Sequence, residues 1–152
     1  MDLSLTEEQD AVAEAIGRFL DKASSAEQVR AAEPLGWDRA VWDGFVQMGV
    51  PTMGVAEGLG GGGSTLGDLA VVAEAAGAHL ASAPIVEAMV AARLLAEIGD
   101  AGAAWLGHLA EGGGPVTIAL RPAVDGVAGL VPGAAVADAA LVLDGDDLVA
   151  IV

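Results

Sequence analysis

Few residues in this chain have the type and spacing to carry chemistry, and their neighbours decide how each is read. The run Gly58-Leu59-Gly60-Gly61-Gly62-Gly63 contains a G-x-G-x-x-G spacing, in which glycines let backbone amides approach a pyrophosphate. That fingerprint needs a buried strand before it and a second strand ending in an acid after it. Here a helical pattern continues where the second strand would lie. The run is therefore read as a loop whose glycines permit positive φ and close backbone approach. His79 and His108 stand alone, without the paired His or Glu spacing of a metal site. Asp144, Asp146 and Asp147 lack the spaced ligand series of a calcium loop and read as a solvated turn. Trp37, Trp42 and Trp105 read as core anchors rather than a cofactor cage. The absence of cysteine excludes a disulfide framework, a thiolate metal cage and a thiol nucleophile.

The elements that must position these residues belong to a small chain. Its 152 residues allow one domain, or one domain with a piece of a second. Hydrophobic residues make up 54% and charged residues 18%, which supplies enough apolar surface to drive folding. Acids outnumber bases 22 to 6, for a net charge of −16. The bases, Arg18, Lys22, Arg30, Arg39, Arg93 and Arg121, are scattered, so nucleic acid and an anionic membrane are both disfavoured as partners. The start, Met1-Asp2-Leu3-Ser4, is acidic, and no apolar run approaches the roughly 20 residues that span a bilayer. A cytoplasmic location is expected.

Periodicity predicts an α+β chain: an all-α bundle of about five helices over 1–113, then a partial antiparallel β segment over 114–152. Ser4 and Glu7 have capping-box spacing ahead of a first helix over about 5–21, and 23–36 reads as a connector holding at most a short helix at 26–32. Asp38 caps a second helix with Val41, Trp42 and Phe45 on its apolar stripe. Thr65 and Asp68 start a third, apolar nearly all round. Ser82 followed by Pro84 opens a fourth, and Asp100 caps a fifth that ends at Gly112. Extended patterns follow at 116–120, 127–131, 137–143 and 148–152, with a turn at Asp144-Gly145. The last leaves an open edge, to be covered by a partner or by further chain.

Taken in order, several anchors agree with one family. Met1-Asp2-Leu3-Ser4-Leu5-Thr6-Glu7-Glu8-Gln9, Leu35-Gly36-Trp37, Trp42, Met48-Gly49-Val50, Glu57, Gly60-Gly61-x-Gly63 and Glu74-x-x-Gly77 resemble the amino-terminal helical domain of acyl-CoA dehydrogenases. The resemblance covers about residues 1–112. It implies a helical domain, part of a shortened middle β domain, and the absence of the carboxy-terminal helical bundle that carries the family's catalytic glutamate. It also implies FAD as cofactor, an acyl-CoA thioester as substrate, and a homo- or hetero-oligomer with another acyl-CoA dehydrogenase subunit.

The resemblance further implies site residues. Gly60, Gly61 and Gly63 lie beside the substrate cleft or form a purely structural loop, and Ser82, Ile85 and Met89 line its acyl end or pack against the third helix. Flavin-binding members carry Leu-Thr-Glu-Pro after the first β strand. This chain has Ala119-Leu120-Arg121-Pro122, a degenerate flavin motif in which the threonine hydroxyl becomes an alkyl group. Asp125 and Asp138 match no catalytic position. FAD is then bound mainly by residues outside this sequence or by a partner subunit. Three functions follow: part of an FAD-dependent dehydrogenase, inactive alone; a non-catalytic subunit shaping the acyl pocket of a heteromeric enzyme; or an acidic helical interaction module without redox role.

Overall fold

A computed structural model describes residues 4–152. The helices are α1 (Glu7–Ala23), α2 (Ala26–Ala31), α3 (Arg39–Gln47), α4 (Leu66–Ala78), α5 (Ile85–Glu97) and α6 (Ala103–Ala110), followed by strands β1 (Val116–Ile118), β2 (Ala139–Asp144) and β3 (Asp147–Ile151). The helices are six rather than about five, because Ser25 and Gln28 form a capping box that secures α2 although it buries no residue.

Caps decide where the helices begin. The capping box of α1 is Thr6 with Gln9, two residues later than the expected Ser4 with Glu7. Tertiary structure selects this register: the Gln9 amide also donates to Asp68 Oδ1 at 2.9 Å, joining the starts of α1 and α4. Asp38 caps α3 through the amides of Ala40 and Val41, and Thr65 with Asp68 caps α4, both as expected.

Two expected caps are not used. Pro84 itself occupies the position before α5, while Ser82 is buried and its carbonyl accepts from Asp38 N at 2.7 Å. Asp100 sits in a single 3-10 turn, and α6 starts from Gly102 without a side-chain cap. A Cβ at Gly102 would collide with the Leu95 carbonyl, so close packing on α5 fixes that helix start.

The core is built around α5, whose Ile85, Ala88, Met89, Ala92 and Leu95 are all buried. Alanines on this helix let α4, α6 and β1 approach it closely. Trp42 and Phe45 of α3 are fully buried, and Phe45 meets Phe19 edge-on at 5.5 Å between ring centroids. Trp37 and Trp105 are partly buried against the same cluster. Val116, Ala139 and Leu141 also belong to it, so β1 and β2 pack on the helices.

The sheet is mixed, with strand order β1-β2-β3. β1 pairs parallel to β2, Val116 opposite Ala139 and Ile118 opposite Leu141. β2 pairs antiparallel to β3 through the expected turn at Asp144-Gly145. The all-antiparallel expectation therefore fails at β1, and the strand expected at 127–131 is replaced by a loop with one isolated bridge, Val124 to Val127. Positive φ at Asp125, Gly126, Leu130 and Gly133 breaks any extended run there. The short apolar run Val127-Ala128-Gly129-Leu130-Val131 has the composition of a strand but not the backbone.

Candidate functional site

One face of α5 gathers the features that could bind a ligand. Val86, Val90, Arg93 and Glu97 follow one another at spacings of four, three and four, which places them on one side of the helix. Val86 and Val90 are each 42% exposed and stand one helical turn apart on this face. With Met89 they face Leu66, Leu69 and Ala73 of α4 across an apolar groove of 150 Å³. Among the described residues no carboxylate lines this groove.

Further along the same face the chemistry changes. Arg93 and Glu97 line a polar trough of 750 Å³ with Glu57, Gly63 and Ser64 of the glycine loop. Arg93 Nη1 donates to Gly54 O at 3.0 Å. Gly54 stands between the two regions: a Cβ there would lie 2.8 Å from Leu69 Cδ2 and 3.3 Å from Arg93 Cδ. Apolar groove and polar trough thus run end to end along α5.

The glycine loop is a folded structure. Gly61 N donates to Ala56 O, Gly63 N to Val55 O and Ser64 N to Met53 O. A Cβ on Gly61 would strike the Val55 carbonyl, so this glycine serves close packing, while Gly60 (φ +85°) and Gly63 (φ +66°) serve the turn. Gly63 reaches the polar trough. Gly60 lines a separate 280 Å³ cavity formed with Leu95, Leu106 and Ala110.

The residues expected at the acyl end are not brought together as one surface. Met89 is buried yet lines the groove, Ile85 points into the core at 1% exposure, and Ser82 is buried outside the groove. Spacing along α5 held a signal for the missed positions, since Val86 and Val90 fall on the face that also carries Arg93, the only base between Arg39 and Arg121.

Asp68, in the first turn of α4, is held below the usual carboxyl range by hydrogen bonds from the Gln9 amide first, and then from Thr65. Stabilising the charged form makes it a weak proton acceptor. Its role is capping and joining two helices. Asp138 is likewise occupied: its Oδ2 accepts from Gly114 N and lies 2.9 Å from His108 Nε2. His79 contacts Ala75 O and Asp21. At the end of β1, Ala119 N donates to Leu141 O, while Leu120 is 71% exposed and Arg121 is exposed beside it.

Comparison with known proteins agrees with this arrangement. The acyl-CoA dehydrogenase N-terminal domain family matches residues 6–113. The acyl-CoA dehydrogenase IpdE2 of Mycolicibacterium smegmatis is 32% identical over 121 residues, covering 78% of this chain and 38% of that protein. Among solved structures, the ChsE4-ChsE5 complex from Mycobacterium tuberculosis superimposes with a TM-score of 0.82 at 24% identity, over 99% of this chain and 48% of the matched one. A glycine-to-alanine variant of the Tcur3481-Tcur3483 steroid ACAD gives 0.79 at 23% identity, over 90% of this chain and 44% of that one. The chain thus spans less than half the length of each relative it matches. By the breadth of the domain match and the identity to IpdE2, it belongs to the acyl-CoA dehydrogenase family.

Proposed function

We propose that this chain forms one wall of an acyl-CoA cleft in a heteromeric, FAD-dependent acyl-CoA dehydrogenase, as a subunit that supplies neither the catalytic base nor most of the flavin site. The observation that carries this reading is the apolar groove between α4 and α5, open on a helical domain of this family and lined by no carboxylate among the described residues. Dehydrogenation of a thioester requires a base at the α carbon. Among the described residues the groove contains no such group, and Asp68 in the first turn of α4 is stabilised as the anion by its hydrogen bonds.

The residues at the end of β1 do not fit FAD. Leu120 presents an exposed alkyl group where a flavin would need a hydrogen-bond donor, and the adjoining hollow is walled by Pro122, Val124, Val127 and Leu130 beside one cation, Arg121. The net charge of −16 opposes the pyrophosphate as well. FAD is therefore assigned to the rest of the assembly. On this reading residues 1–113 are the helical domain and 114–152 the start of a shortened β domain, and the partner is a second dehydrogenase subunit, as in the two-component names of the structural neighbours.

Purification through a tag on this chain tests the reading. A yellow complex with flavin at half the subunit count supports it, and one FAD bound per copy of this chain contradicts it.

A further inference from the structure

The polar trough beside the groove contains a cation, Arg93, with no direct ion-pair partner among the described residues. Of the five N–H groups that an arginine offers, Arg93 uses one, to Gly54 O, and no carboxylate lies within ion-pairing distance of it among the described residues. Its other donors have no acceptor among the described residues, although the side chain is half-buried and borders a 750 Å³ space. Donors left in such a place gain most from an acceptor that arrives with a ligand.

The trough adjoins the apolar groove at Gly54, so a group lying along α5 would meet apolar side chains first and Arg93 beyond them. Resting on the acyl-cleft reading above, we infer that Arg93 recognises a neutral carbonyl oxygen near the far end of the acyl group: the substrate class is a keto-acyl thioester rather than a plain hydrocarbon one. Charge decides between a ketone and a carboxylate. Glu57 and Glu97 share the trough with the single guanidinium, so a carboxylate meets two like charges against one opposite charge, whereas a ketone accepts a hydrogen bond with no such repulsion.

The test uses the assembly purified through a tag on this chain, in calorimetric titrations with octanoyl-CoA, 7-oxooctanoyl-CoA and the half-thioester of octanedioic acid. Wild type binds the oxo thioester about tenfold more tightly than octanoyl-CoA, and the diacid thioester no more tightly than octanoyl-CoA. Arg93→Met brings the oxo thioester to the octanoyl-CoA level measured with the same variant; Arg93→Lys retains part of the preference. Equal binding of oxo and plain thioesters by wild type overturns the inference alone, even if Arg93→Met does not fold. So does a preference that survives Arg93→Met, or tightest binding of the diacid form. Failure of all three thioesters to bind removes the acyl-cleft reading and the inference together.

Discussion

His108 Nε2 lies 2.9 Å from Asp138 Oδ2, and the same oxygen accepts from Gly114 N at 2.9 Å. One carboxylate therefore joins the end of α6, the glycine connector and the entry to β2. A backbone bond from Asp138 N to Pro115 O closes the junction. Here the helices set the position of the sheet.

Replacing Asp138 by Ala removes both side-chain bonds, and the half-exposed site limits the cost to about 1 kcal/mol. Thermal unfolding should fall by a few degrees, about 2–4 °C per kcal/mol for a chain of this size. Asp138→Asn, which still offers an acceptor to Gly114, should lose less. Equal melting of wild type and Asp138→Ala would show that the junction does not depend on this carboxylate.

Trp42 holds the connector from the other side, with Nε1 donating to Gly113 O at 2.8 Å while its ring is fully buried. Trp42→Phe keeps most of the apolar contact, leaves Gly113 O without this donor, and should cost about 1–3 kcal/mol in urea unfolding. Trp42→Ala adds a cavity and should cost about 3–5 kcal/mol. A Trp42→Phe variant as stable as wild type would remove the hydrogen bond from the account.

The glycine loop separates packing from binding. Gly61→Ala forces a Cβ against the Val55 backbone and should destabilise by about 1–3 kcal/mol. Gly58→Ala, with nothing within 4 Å of the new carbon and no positive φ, should be near neutral. Chemical denaturation of the pair settles the assignment, since equal stability would mean the loop rearranges freely.

Asp68 sets a pH dependence of known sign. Its folded-state value lies below the ordinary 3.8, so its contribution is complete above 3.8 and is lost as pH falls through the lower folded value. The difference in unfolding free energy between wild type and Asp68→Asn should be constant from pH 7 to about 5 and shrink below 3.8. A difference that grows on acidification would reverse the assigned direction.

Much of the helical order was legible from residue spacing, because Asp38 and the Thr65–Asp68 pair cap helices through local bonds that sequence alone specifies. Legibility failed where distant contacts choose among local options. Gln9 selects Thr6 over Ser4 by bonding Asp68, and Gly102 starts α6 because only glycine fits against Leu95. The loop at 127–131 carries a strand-like apolar run on a backbone that positive φ at and around it prevents from extending. At the site, glycine identity marked the loop, but the exposed Val86–Val90 edge and an Arg93 without a direct ion-pair partner among the described residues emerge only when α5 is seen against α4 and Gly54.

The central claim is that the α4–α5 groove holds acyl chains, and Val90→Trp tests it most directly, because this exposed side chain can grow into the groove without entering the core. Calorimetric titration of the tagged assembly with butyryl-CoA and octanoyl-CoA should show the variant losing octanoyl-CoA affinity about tenfold or more while butyryl-CoA affinity holds. Unchanged affinity for both thioesters would place the acyl chain elsewhere and contradict the account.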